Sequence, residues 1–496
     1  MNDEFAIKKE NYLDAAAVTK KLDELKEAPI YSIRPEKLAE YEQEYFEKKC
    51  MKSKEMTDMA GAIIPGGVQH NLAFNHPFPI AIEKAEGCRL WDVDGNEYFD
   101  FLQAGGPTVL GSNPPEVREK VIELLNTCGP STGLFHEYEY KLAKKICDSV
   151  PSVQMFRMLT SGTESCMGAV RIARLATGHK HILKMGGAYH GWSDQMAYGI
   201  RIPGSKFTQA KGVPMSVMAM THEFFPNDLN DLERQLKKYK LQGGTAAVFI
   251  EPIGPESGTR PVDYDFPKGC LELAHKYGAL LICDEVVSGF RIGMSGAQGF
   301  YGIEPDLTIF GKVVAGGYPG AGGIGGKAEY MKYLSAGISG EAKHPKALVG
   351  GTLAAAPISC VAGYNMLCQL EEQHAIPRAG RFGDRLIEGV NKVIDKYDLP
   401  FVAFNQGSVC HVDTTGTMHF AIDWSKPWTI PAVLDATTVR KQEMEHIGAA
   451  YTAEGFITLA GNRLYTSAAY EDSIIDDVIE RFDKVFAECV EIGETK

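Results

Sequence analysis

Pro305-Asp306-Leu307-Thr308-Ile309-Phe310-Gly311-Lys312 runs directly into Val313-Val314-Ala315-Gly316-Gly317. An apolar run of strand length delivers a lysine into a glycine-rich stretch. Removing an ammonium from water without a partner is costly. A lysine placed there either reaches solvent as a strand-end residue or works as an amine. The second use points to Schiff-base chemistry, which needs a neutral amine and is helped by burial.

Ala279-Leu280-Leu281-Ile282-Cys283-Asp284-Glu285 is a second apolar run, closed by two acids. This is the pattern of a buried parallel strand with carboxylates at its C-terminal tip, and strand tips in open α/β sheets are where ligands bind. An acid there is a helix cap, a metal ligand or the partner of a pyridinium nitrogen. The last role fits pyridoxal 5'-phosphate (PLP), whose ring withdraws electrons best when its nitrogen stays protonated against a carboxylate. Leu159-Thr160-Ser161-Gly162-Thr163-Glu164-Ser165 precedes a helix-like run from Cys166 to Arg174. Small hydroxyl residues and glycine at a helix N-terminus cap the helix or offer N–H groups to a phosphate. In Gly186-Gly187-Ala188-Tyr189-His190-Gly191-Trp192 the aromatics either pack on the core or stack on a cofactor ring. In chain order the elements are a phosphate cup, an aromatic, an acid at a strand tip and a lysine.

That order and wording resemble the class III (ω-type) aminotransferases of PLP fold type I, and within them the glutamate-1-semialdehyde aminomutases. The resemblance is carried by Ile64-Pro65-Gly66-Gly67-Val68, Ser161 to Glu164, Tyr189-His190-Gly191, Glu251-Pro252-Ile253, Asp284 to Arg291, Pro305-Asp306-Leu307, Gly311-Lys312 and Gly350-Gly351-Thr352-Leu353. It spans about residues 55 to 490. It implies Lys312 as the Schiff-base lysine and Asp284 as the partner of the pyridine nitrogen. Val286 and Tyr189 would pack on the two ring faces, with His190 near the ring. Ser161, Gly162 and Thr163 would cradle the phosphate. Thr352 resembles the threonine that reaches the phosphate of a neighbouring subunit, which implies a homodimer. No metal is expected.

The chain has 496 residues, with 44% apolar and 23% charged content, as in globular proteins. That length exceeds one compact core. No apolar run approaches the ~20 residues of a membrane span. The start Met1-Asn2-Asp3-Glu4-Phe5 lacks a signal-peptide layout. Eleven scattered cysteines without a C-x-x-C pair fit a reducing cytoplasm. A net charge of −13 argues against nucleic acid as a partner; the expected partners are a small-molecule amino donor and a carbonyl acceptor.

The expected class is α/β: a large domain with a mostly parallel sheet flanked by helices, and a smaller α+β domain built from both chain ends. Residues 1–55, with helix-like text from Ala15 to Leu22, are expected to form a helical extension. Residues 56–114 and 356–496 would make the small domain, and residues 115–355 the large one. Asp94-Gly95 between two β-like runs predicts a hairpin. A helix is predicted from Ile358 to Glu371, and a last one from Asp472 to Val490.

Three stretches depart from the aminomutase pattern where substrate is recognised. Gly66-Gly67-Val68-Gln69-His70-Asn71-Leu72-Ala73 lacks the arginine of Gly-Gly-Val-Asn-Ser-Pro-Val-Arg. Ala104-Gly105-Gly106-Pro107 stands where the family has Ser-Trp before Gly-Pro, and Gly461-Asn462-Arg463-Leu464-Tyr465 replaces an acidic segment. These changes favour an aminotransferase moving an amino group between an amino acid or amine and a keto acid or aldehyde. An aminomutase or epimerase is the alternative, and a silent protein of the same fold is the non-enzyme reading. Arg463 is the candidate for the substrate carboxylate, with Glu256 placed where ornithine-type relatives keep a glutamate that pairs with a C-terminal arginine.

Overall fold

A computed structural model describes residues 4–492, apart from 74, 336 and 338–341. The chain forms two compact units. The first comprises residues 4–15, Pro115–Pro377 and Ala421–Pro427; the second comprises Ala16–Pro114, Arg378–Phe420 and residues 428–492.

The first unit is built on a seven-stranded sheet of β1 (Met155–Leu159), β2 (His181–Met185), β3 (Thr221–Phe224), β4 (Thr245–Ile250), β5 (Leu280–Asp284), β6 (Leu307–Gly311) and β7 (Gly322–Gly326), in the order β1-β7-β6-β5-β4-β2-β3. Strands β4, β5 and β6 are buried at every position. That accounts for their continuous apolar text, since helices cover both faces of such a sheet. Only β7 runs antiparallel to its neighbours β1 and β6. Its sequence, Gly322-Gly323-Ile324-Gly325-Gly326, reads as a loop by composition. It forms a strand because it must pass close to the turn after β1: a side chain at Gly322 would come within 2.4 Å of the Ser161 backbone. The other six strands share one direction, so their C-terminal tips lie on one edge.

The second unit holds an antiparallel meander of Ile82–Glu86, Arg89–Asp92 and Glu97–Asp100, extended in parallel by Phe456–Ile457. The hairpin turns at Gly95, whose φ of 91° is the left-handed geometry that Asp-Gly turns supply. A second sheet pairs Val402–Gln406, Val409–Asp413 and Arg463–Tyr465. The core between these elements gathers Phe101, Tyr451, Phe456, Tyr470 and Phe482.

The expected boundaries differ in three places. The N-terminal stretch is not one helical piece. Residues 4–15 belong to the first unit, where the Tyr12 hydroxyl donates to the Val262 carbonyl at 2.6 Å. The rest joins the second unit, with helix Ala15–Glu27 at the junction. Strand Ile30–Ile33 pairs with Cys489–Ile492, so the last helix stops at Phe486 instead of continuing to Val490. A pairing across the whole chain leaves no local signal. Helix Pro357–Glu372 belongs with the first unit, not with the C-terminal part of the small domain. Ser359 ties it to the turn after Lys312 by donating to the Pro319 carbonyl at 2.6 Å.

Candidate active site

One edge of the sheet collects five loops. Thr160 to Thr163 follow β1, Gly186 to Gly191 follow β2, Glu251 follows β4, Asp284 ends β5 and Lys312 follows β6. In the parallel register of β5 and β6, Ile309 is level with Asp284. Lys312, three residues further on, therefore starts just beyond the tip of the neighbouring strand. It is half-buried and opens a short helical turn with φ of 47°. A left-handed lysine costs about 1–2 kcal/mol, and backbone strain of this kind concentrates at functional sites.

The two acids at the tip of β5 point to different tasks. Asp284 Oδ2 accepts from His190 Nδ1 at 2.7 Å and Oδ1 accepts the Val286 N–H at 3.0 Å. Both side chains are buried. Burial pushes the His190 pKa down, and the hydrogen bond to Asp284 opposes this. Its buried Nε2 has no hydrogen-bond partner. Glu285 instead takes the Ala297 and Gln298 N–H groups at 3.0 and 2.8 Å, in the first turn of helix Gly296–Tyr301. The capping role thus falls to Glu285, and Asp284 remains at the edge.

Cys166 Sγ lies 3.8 Å from Asp284 Oδ2, and the ligand atoms of Cys166, His190 and Asp284 fall within 4.8 Å of one another. Burial and Asp284 hold the Cys166 thiol far above its ordinary pKa.

Ser161 caps α1 (Gly162–Thr177), its Oγ accepting the Glu164 N–H at 3.2 Å. The first-turn N–H groups of Gly162 and Thr163 have no acceptor within the helix and form the positive end of its dipole. Val286 fills the slot between two glycines: a side chain at Gly162 or Gly311 would meet its methyls at 2.8 Å. Tyr189 is 41% exposed while its backbone is fixed, the N–H donating to Glu251 Oε1 at 2.9 Å.

Glu251 is the anchor that sequence reading did not single out. The same Oε1 accepts the Glu256 N–H at 2.8 Å, and Oε2 accepts that of Ser257 at 2.8 Å. Burial, with Asp284 and Glu256 nearby, pushes its pKa up to about 8. A second unforeseen anchor is Lys184. Fully buried on β2, its Nζ donates to the carbonyls of Ala188, Met196 and Tyr198 at 2.8, 3.2 and 2.8 Å. Burial lowers its pKa to about 8. These bonds pin the long connection from β2 to β3, which carries Tyr189 and His190. A charged residue inside a strand was the only signal.

Thr352 is exposed, on a turn whose Gly351 lies beside Thr160 and Glu164 of the same chain. Arg463 belongs to the second unit, where it pairs with His411 across the sheet and is 9% exposed. Glu256 stays at the edge of the first unit, its Oε1 3.8 Å from Arg201 Nε.

A carboxylate and a lysine at neighbouring strand tips, beside a helix N-terminus and an open aromatic face, offer groups matching a pyridine nitrogen, an aldehyde, a phosphate and a flat ring. The architecture is PLP fold type I, α/β. The sequence model of Aminotransferase class-III matches residues 72–480. Glutamate-1-semialdehyde 2,1-aminomutase 1 of Lachnoclostridium phytofermentans is 35% identical over 378 residues, covering 75% of this chain and 84% of that protein. Glutamate-1-semialdehyde 2,1-aminomutase 2 of Geobacillus kaustophilus is 34% identical over 446 residues, covering 88% and 98%. Among solved structures, an ω-transaminase from Sphaerobacter thermophilus aligns with a TM-score of 0.77 at 26% identity, covering 89% of this chain and 99% of that one. The chain belongs to the class III aminotransferases, whose cofactor is PLP.

Proposed function

We propose that this aminotransferase transfers an amino group between two separate small molecules, with Lys312 as the residue that holds PLP covalently. The placement of Asp284 and Lys312 on adjacent parallel strands supports this reading most directly. When bound, PLP supplies an electron sink for the substrate carbon. Asp284, fixed by His190 and the Val286 N–H, holds the proton on the ring nitrogen. Val286 supports one ring face and Tyr189 the other. Ser161, Gly162 and Thr163 bind the phosphate through hydroxyl and N–H groups. Lys312 would hold the cofactor through its Nζ, and as a free amine that Nζ would take the proton from the amine-bearing carbon and return it, a general acid–base task.

Transfer between two molecules is favoured over an internal shift by the departures at Gln69 to Ala73, Ala104 to Pro107 and Gly461 to Tyr465. The aminomutase relatives keep the second reading in play. The deciding test loads the protein with PLP and supplies α-, β- and ω-amino acids with and without an external keto acid. Turnover that requires the keto acid supports transfer between molecules. Isomerisation of a single substrate without an acceptor overturns it.

The same reading includes a homodimer in which Thr352 serves the site of the second copy. It is supported by the exposure of Thr352 and of the apolar side chains Leu134, Phe135, Leu348 and Leu353. A cytoplasmic location agrees with eleven free thiols. Among the described residues no helix is long and apolar enough to cross a membrane.

A further inference from the structure

We infer that Lys184 is a positioning residue for the cofactor: its charged amine fixes the direction in which the loop after β2 presents Tyr189 and His190, and tight retention of PLP depends on that charge. The inference rests on the reading above in which Tyr189 supports one face of the ring.

The peptide group between Ala188 and Tyr189 is held at both ends. Its carbonyl accepts from Lys184 Nζ at 2.8 Å, and its N–H donates to Glu251 Oε1 at 2.9 Å. A peptide group is planar, so gripping it at both ends restrains ψ of Ala188 and φ of Tyr189, and with them the direction of the Tyr189 side chain. Lys184 directs its other two N–H groups to the Met196 and Tyr198 carbonyls, at 3.2 and 2.8 Å. An ammonium has three donors and no acceptor. The charged form therefore matches the three carbonyls one to one. A neutral amine brings two donors and a lone pair, and one buried carbonyl then faces that lone pair.

The counter-charge comes from the neighbouring strand. Glu223 on β3 is level with Lys184 in the parallel register. Its carboxylate gathers the Gly204 and Lys206 N–H groups at 2.9 and 3.1 Å. The connection is also tied across itself: the Gly187 N–H donates to the Gly199 carbonyl at 2.9 Å, and the Arg201 N–H donates to the Gly187 carbonyl at 2.9 Å. A cation that collects carbonyls and an anion that collects N–H groups thus organise the one connection that carries Tyr189 and His190. Burial brings the Lys184 pKa down to about 8; Glu223 opposes this most, then Glu251, Cys166 and Glu256. His190 faces the same cation. The charge is thus held in place chiefly by Glu223, a residue with no contact to the strand tips of Asp284 and Lys312.

The test measures PLP dissociation constants by equilibrium dialysis from about pH 7 to about pH 9.5, in K312A protein so that no covalent link contributes. K184M, K184R, E223Q and Y189A are each added singly. K184M should weaken PLP binding about 10- to 100-fold at neutral pH, and K184R should recover part of the loss. With Lys184 present, affinity should fall as pH rises past about 8, by up to about tenfold per pH unit, and more steeply than in K184R, whose guanidinium stays charged. The titrations of the cofactor and of Glu251 are common to both proteins. E223Q removes the attraction that keeps the proton on Lys184 and should move the fall to lower pH. Unchanged affinity in K184M, even with a lowered melting temperature, would make Lys184 a scaffold residue and overturn the inference. So would a pH profile that K184R and E223Q both leave in place, and these two profiles decide the matter if K184M does not fold. Unchanged affinity in Y189A would bring down the ring-stacking reading, and this inference with it. Weakened binding in Y189A beside unweakened binding in K184M would overturn the inference alone.

Discussion

Substituting Gly191 by alanine probes how the aromatic loop and the phosphate cup are joined. Gly191 has φ of 84°, and a Cβ there would sit 2.3 Å from Thr163 Oγ1 and 2.7 Å from Thr163 Cα. The left-handed backbone alone costs an alanine about 1–2 kcal/mol. The 2.7 Å approach falls about 0.8 Å short of the ~3.5 Å optimum between carbon atoms. Since Thr163 is in the first turn of α1, relief requires moving the end of the helix or the loop. Overpacking of this kind costs about 1–3 kcal/mol more, and that part falls on the N-terminus of α1, the proposed phosphate site. Gly178, at the other end of α1, supplies the control: its φ is 71°, and a Cβ there meets nothing within 4 Å. G178A and G191A share the backbone penalty, and only G191A displaces Thr163. Denaturant melts and PLP dissociation constants should show both variants destabilised, with G191A alone losing PLP affinity, by roughly tenfold or more. Equal PLP affinity in the two variants would refute the claim that the Gly191–Thr163 contact shapes the cup.

Replacing Asp284 with asparagine offers one carbonyl to two donors, His190 Nδ1 and the Val286 N–H, and removes the charge proposed to face the ring nitrogen. Stopped-flow half-reactions should slow by about 10- to 100-fold; unchanged rates would mean another residue holds the nitrogen. Glu251 should govern a pH effect on stability. Its folded pKa is raised from 4.5 to about 8, so its contribution is fully present below 4.5 and is lost as pH rises through about 8. E251Q, which cannot ionise, should flatten the fall in unfolding free energy across that window, even though it leaves at least one of three N–H donors unsatisfied. An unchanged slope would show that Glu251 does not titrate there.

What could be read from the text was whatever depends on neighbours in sequence. The fully buried strands Leu280–Asp284 and Leu307–Gly311 announced themselves as apolar runs, and their parallel register puts Asp284 and Lys312 on one edge. The Ser161 cap and the Gly95 turn were equally local. What escaped depends on tertiary contact. The glycine-rich Gly322–Gly326 is a strand because other backbones press against it. The opposite duties of Asp284 and Glu285 are set by what packs on each side of β5. The pairing of Ile30–Ile33 with Cys489–Ile492 joins the two ends of the chain. The shared anchor Glu251, which ties Tyr189 to Glu256 and Ser257, joins loops more than 60 residues apart in the chain.

The assignment of Lys312 as the covalent anchor is tested most directly by reducing the PLP-loaded protein with borohydride and sequencing the labelled peptide by mass spectrometry. The label should sit on Lys312, and K312A should still bind PLP through the phosphate and ring contacts while trapping none. Its activity should fall by several orders of magnitude, because the nucleophile and the proton carrier are lost together. A label on another lysine, such as the buried Lys184, or an active K312A would contradict the account.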